Sequence, residues 1–61
     1  MTIYEAREHE GSRVEYRAAG QPPEQGVITG AGLRFAYVRY DGGTAPKATD
    51  PAALTLLGGP R

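Results

Sequence analysis

This 61-residue chain has one histidine, one serine and no cysteine, the side chains on which nucleophile–base chemistry most often draws. A general base needs a partner to orient it and a pocket to hold substrate. His9 lies between Glu8 and Glu10, sequence neighbours that supply neither, and it reads as a surface histidine. Ser12 is the only serine, so nucleophile–base pairs have almost nothing to draw on. A lone histidine without cysteine also leaves a zinc-type centre short of donors. Glu15, Glu24, Asp41 and Asp50 fall in separate segments and read as solvated charge, because so short a chain has little room for a deep cleft. Gly30-Ala31-Gly32 lacks the third glycine and the long helix of a dinucleotide-binding loop, and reads as a hairpin turn. The expectation is no enzyme, no cofactor and no metal.

The chemistry worth following is recognition. In Arg34-Phe35-Ala36-Tyr37-Val38-Arg39-Tyr40, alternation assigns Ala36, Val38 and Tyr40 to one face and Phe35, Tyr37 and Arg39 to the other. Ala36 and Val38 suit a tight interior, which turns two aromatics and a cation outward. Such a surface stacks on bases or arginines, or anchors a protein partner. Arg34 at one end and Lys47 on the following segment are expected to extend it. Two alternatives stay open. Residues 2–10 could cover the face, with Ile3 and Tyr4 on Phe35 and Tyr37, or a slip of one residue could exchange inside and outside.

The elements that must position this surface are short. Arg13-Val14-Glu15-Tyr16-Arg17 alternates as a half-buried strand, and Gly26-Val27-Ile28-Thr29 follows a loop marked by Gly20, Pro22 and Pro23. Gly30-Ala31-Gly32 is expected to supply the positive-φ positions of a tight turn into the third strand. Asp41-Gly42-Gly43 turns the chain toward a short strand at Lys47-Ala48-Thr49. Asp50-Pro51 is a helix-start pair followed by only Ala52 and Ala53 before Leu54, which predicts one 3-10 turn and a last strand. Residues 2–10 fit a brief helical turn or an edge strand equally well. The predicted fold is all-β: a small SH3-like (Tudor/KOW-like) five-stranded antiparallel barrel with one 3-10 turn before its last strand. It forms one domain over residues 1–61, with an N-terminal segment at 1–10 and a flexible tail at 58–61.

Seven Lys+Arg against seven Asp+Glu give a net charge of zero, unlike the basic footprint of a non-specific nucleic-acid binder. Residues 1–10 carry one cation and three carboxylates, a net of −2, and the remainder carries six against four, a net of +2. The polar, acidic start has no secretory pattern, and no apolar run approaches membrane-spanning length. The expected compartment is the cytoplasm, without membrane partners.

Gly11-Ser12-Arg13-Val14-Glu15-Tyr16, Pro23-Glu24-Gln25-Gly26-Val27-Ile28-Thr29, Arg34 through Tyr40, and Lys47-Ala48-Thr49-Asp50-Pro51 with Leu54 resemble, in order and spacing, a group of short bacterial and phage or prophage proteins. The likeness covers about residues 11–57. It implies a compact SH3-like barrel in a bacterial or phage setting and brings no catalytic residues. The group often has a longer first loop than Ala18 to Gln25 provides. Gly26-Val27-Ile28 with Phe35-Ala36-Tyr37-Val38 is also similar, more loosely, to a glycine-led strand motif of ribosomal and transcription proteins. The functional expectation is a non-catalytic binding module engaging a protein through Arg34, Phe35, Tyr37, Arg39 and Lys47. A nucleic-acid module ranks behind it, and self-assembly as a homodimer is a third arrangement.

Overall fold

The computed structural model describes residues 1–57; the tail expected at 58–61 lies outside the described residues. A short helix α1 (Ile3–Glu8) leads into β1 (Arg13–Tyr16), β2 (Glu24–Ala31), β3 (Ala36–Tyr40) and β4 (Lys47–Thr49). A 3-10 turn (Pro51–Ala53) then precedes β5 (Leu54–Leu56). The five strands form one antiparallel sheet in the order β4-β3-β2-β1-β5.

The helix resolves the ambiguity at residues 2–10. Thr2 accepts the Glu5 N–H through its hydroxyl while Glu5 returns a carboxylate to the Thr2 N–H, at 3.1 and 2.8 Å. This reciprocal pairing satisfies two of the donors that a helix start leaves free. Ala6 is buried in the core, so α1 closes the concave side of the sheet. Thr2→Ala is expected to cost about 1 kcal/mol, the usual value of such a cap. Amide exchange at Ala6 and His9 should quicken far more than at Ile28; equal acceleration at all three would show that α1 opens only with the whole domain.

The concave face holds the core: Val14, Ile28, Ala36, Val38 and Leu54 with Ala6, flanked by Met1, Tyr16, Ala31, Tyr40 and Leu56. The strand residues among them come from alternate positions that point the same way, as the period of two requires. The long strand β2 carries the curl. Its first half, residues 24–27, pairs with β1, and residues 26–31 pair with β3, with a register shift between Ile28 and Gly30. That shift is a bulge at Thr29, whose hydroxyl donates to the Tyr37 carbonyl at 3.2 Å. Bulges sharpen twist, which lets so small a sheet wrap its own core.

Gly26 sits at the centre of the curl, buried between Val14 on β1 and Tyr40 on β3. A Cβ there would stand 2.6 Å from the Arg39 carbonyl oxygen and 2.8 Å from a Val38 methyl. The two strands approach this closely only because that position is bare.

Two expectations need correction. The sheet is open: β4 and β5 are its two edges, and no ladder joins them into a barrel. Only Asp50 and the 3-10 turn separate these strands, and Asp50 turns the chain by accepting the Ala52 N–H at 3.0 Å. So short a connection redirects β5 away from β4 to pair with β1. The second correction concerns the hairpin. Gly30 and Ala31 lie inside β2, and neither Gly30 nor Gly32 has positive φ. The turn is Gly32 to Phe35, closed by the Gly32 N–H on the Phe35 carbonyl at 2.8 Å. Positive φ occurs instead at Gly11 and Gly20, which end the helix connection and shape the first loop.

The N-terminal ammonium reaches the Leu54 carbonyl at 3.4 Å, which places Met1 beside β5. No helix of the described residues is long and apolar enough to cross a membrane.

Candidate interaction surface

Strand β3 distributes its side chains as alternation predicts. Ala36 and Val38 are fully buried and Tyr40 partly so, while Tyr37 and Arg39 face out. Phe35 and Tyr37 are 47% and 42% exposed, so α1 does not cover them. Arg34 and Leu33 occupy the turn before β3, with Leu33 at 89% exposure the barest large apolar side chain described. Four of the five residues singled out from the sequence, Arg34, Phe35, Tyr37 and Arg39, thus lie on β3 and its preceding turn, all exposed to solvent.

Lys47 does not join them. Its register partner on β3 is Val38, which points into the core, so Lys47 belongs to the concave side. Ala48, paired with Tyr37, takes the outer position. Arg39 pairs with Val27, which in turn pairs with Arg13 on β1. Arg13 holds Asp41 at 2.7 Å and Gln25 at 3.3 Å, leaving the Arg39 guanidinium without a carboxylate within salt-bridge distance among the described residues.

Lys47 instead borders a shallow cleft of about 220 Å³ lined by Tyr16, Glu24, Tyr40, Ala48, Thr49 and Asp50. Tyr16 and Tyr40 meet edge to face, ring centres 6.1 Å apart at 75°. Tyr40 and the buried Thr49 share a hydroxyl–hydroxyl bond of 2.8 Å, and Thr49 also donates to the Lys47 carbonyl at 3.3 Å. Sequence reasoning missed this cleft, because Tyr16 and Tyr40 come together across Gly26 only through the curl of the sheet. The equal parity of Val14, Tyr16, Val38 and Tyr40 was the available signal.

Burial pushes the Tyr40 hydroxyl above the ordinary tyrosine value; Tyr16 and Glu24 push the same way, and the Thr49 bond opposes them. A phenol whose pKa is higher folded than unfolded stabilises the fold below the unfolded value, near 10, and loses that contribution as pH rises further. Unfolding free energy is therefore expected to start falling near pH 10. Urea titrations at pH 8 and 10.5 check this, with a smaller fall in Tyr40→Phe; an identical fall in both proteins would acquit Tyr40.

His9 ends α1, its backbone N–H shared between the Glu5 and Ala6 carbonyls at 3.0 and 3.3 Å. Ser12 also works through its backbone, donating to His9 and accepting from Ile28. Comparison with known proteins finds no matching family, no matching curated relative and no matching solved structure.

Proposed function

We propose that this chain is a cytoplasmic, non-catalytic binding module of bacterial or phage origin that docks a protein partner on the outer face of β3. The observation that carries the reading is the gathering of exposed apolar surface. Of the four exposed large hydrophobics among the described residues, three, Leu33, Phe35 and Tyr37, fall within five consecutive positions, with Arg34 between them and Arg39 two positions on. Isolated exposed apolar residues are ordinary, whereas contiguous ones beside arginine mark contact surfaces. The scaffold of this surface is the curled five-stranded antiparallel sheet, open between β4 and β5, with a 3-10 turn before its last strand. Such a scaffold holds the surface rigid, so that little ordering is required on binding.

Aromatics beside arginines also favour nucleic acid as a second reading, through stacking and phosphate contacts. The neutral net charge and the turning away of Lys47 weigh against it. An amide NMR titration with single- and double-stranded oligonucleotides at low and moderate salt separates the two. Little change at either salt is expected. Salt-sensitive shifts clustered on residues 34–39 would replace the protein reading with the nucleic-acid one. Sedimentation of the free protein tests the homodimer separately: a dimer whose contact is lost in Tyr37→Ser would make the partner a second copy of this chain.

A further inference from the structure

We infer that the docking surface extends from β3 onto α1, and that its partner is an acidic peptide segment carrying apolar anchors. This rests on the protein-binding reading of the outer face and specifies the chemistry of the partner.

Gly32 joins the two elements. Its carbonyl accepts a hydrogen bond from the Arg7 guanidinium of α1 at 2.8 Å. The Tyr37 ring borders the same glycine, with Cε2 and the hydroxyl each 3.5 Å from where a Cβ would stand. The same guanidinium lies over the Tyr4 ring, 5.8 Å from its centre. Tyr4, Arg7, Gly32 and Tyr37 therefore form a continuous chain of contacts, although Tyr4 and Tyr37 lie far apart in the sequence. Tyr4, 71% exposed, is the remaining large hydrophobic of the exposed set. Among the described residues the four exposed large hydrophobics thus follow one path, Tyr4 on α1 and Tyr37 on β3 joined through Arg7 and Gly32, with Leu33 and Phe35 in the turn between.

Charge selects the partner. Arg34 and Arg39 are exposed and form no ion pair among the described residues, whereas Arg13 is neutralised by Asp41. Unpaired guanidinium groups beside apolar side chains call for carboxylates placed between apolar anchors. A continuous phosphate backbone fits less well. Glu8 follows Tyr4 by one helical turn on the same face and repels it, while spaced carboxylates can avoid that position. Leu33, aliphatic and the most exposed of the set, offers a base nothing to stack on but offers an apolar side chain a contact.

The test is an amide NMR titration with two capped heptapeptides sharing leucine and phenylalanine anchors, one with aspartate and glutamate between them and a twin with lysine instead. The acidic peptide is expected to shift Leu33 to Arg39 together with Tyr4 and Arg7. Its Kd should weaken at least tenfold in Arg34→Glu/Arg39→Glu and at least threefold in Tyr4→Ala. Both variants alter exposed side chains and should keep the parent spectrum elsewhere. Equal binding of the lysine twin on this face would overturn the acidic chemistry while leaving the protein reading intact. A neutral Tyr4→Ala with shifts confined to β3 would remove α1 from the surface. No shifts with either peptide, or displacement of the acidic peptide by oligothymidylate at moderate salt, would overturn the proposal outright.

Discussion

Gly26→Ala is expected to destabilise the fold by about 3 kcal/mol, at the upper end of what overpacking costs. The added Cβ would lie 2.6 Å from the Arg39 carbonyl oxygen and 3.0 Å from the Tyr40 Cα. Both are backbone atoms held in the β2–β3 ladder, where Gly26 pairs with Tyr40 and Val27 with Arg39. Relief therefore requires β3 to move as a unit, which also displaces the fully buried Val38. A single core in a chain this short rarely supplies more than about 3–5 kcal/mol, so such a loss is expected to unfold a large share of the molecules. Gly30→Ala is the matched control: it lies in the same strand, lacks positive φ and has nothing within 4 Å of the new methyl. Its effect should stay within about 0.5 kcal/mol, with the narrowed unfolded state favouring a small gain. Urea unfolding followed by far-ultraviolet circular dichroism gives both values. Equal midpoints for the two variants would mean that β2 and β3 are not so close at Gly26.

Truncating Ile28 should cost as much or more. Ile28→Ala is expected to lose about 4 kcal/mol and Ile28→Val about 1 kcal/mol, since deleted buried methyl groups forfeit both transfer energy and contacts. Ile28 is among the largest side chains that are fully buried, and it faces Val38 across the ladder. Its backbone is equally committed: the N–H donates to Ser12 at 3.1 Å and the carbonyl accepts from Gly11 at 2.7 Å. These bonds tie the link from α1 to the centre of the sheet, leaving the site little freedom to collapse around a cavity. Thermal unfolding of the two variants checks the gradation. A Val variant as damaging as the Ala variant would point to the shape of the β-branched side chain rather than to the volume removed.

The strands with clean alternation are legible from residue types. Strands β1 and β3 follow from period two, β4 from the turn at Asp41-Gly42-Gly43 before it, and the Asp50-Pro51 turn from capping rules. The outward placement of Phe35, Tyr37 and Arg39 is one of the arrangements that alternation leaves open and the exposed side chains decide. Strand β2 runs longer than the Gly26–Thr29 run that its residue types suggest, since Glu24 and Gln25 read as the end of the loop and Gly30 as a turn, although Gly30 follows a bulge and stays in the ladder. Helix α1 has six residues and no apolar stripe, so only the Thr2–Glu5 spacing announces it. What strand periodicity does not supply is position across strands. The face of Lys47 depends on which β3 residue it meets, and the Tyr16–Tyr40 cleft depends on curvature. Both arise from long-range pairing, to which a local pattern is blind. The contribution of Arg7 and Tyr4 to the outer surface is non-local in the same way, since it passes through the Gly32 carbonyl.

The meeting of Met1 with Leu54 bears on how the chain could be rewired. In the native order β4-β3-β2-β1 is a simple meander, and β5 must return across the whole sequence to reach β1. A glycine–serine linker from Leu57, the last described residue, back to Met1, with new termini opened between Gly20 and Gln21 in the exposed first loop, gives a circular permutant of residues 1–57 that keeps every ladder. The return of β5 to β1 then becomes a connection through α1 between near neighbours, while the β1–β2 pair becomes the distant one. The two connectivities place the entropic cost of closing the sheet at opposite sides of β1, which makes this small domain suited to asking which ladder nucleates folding.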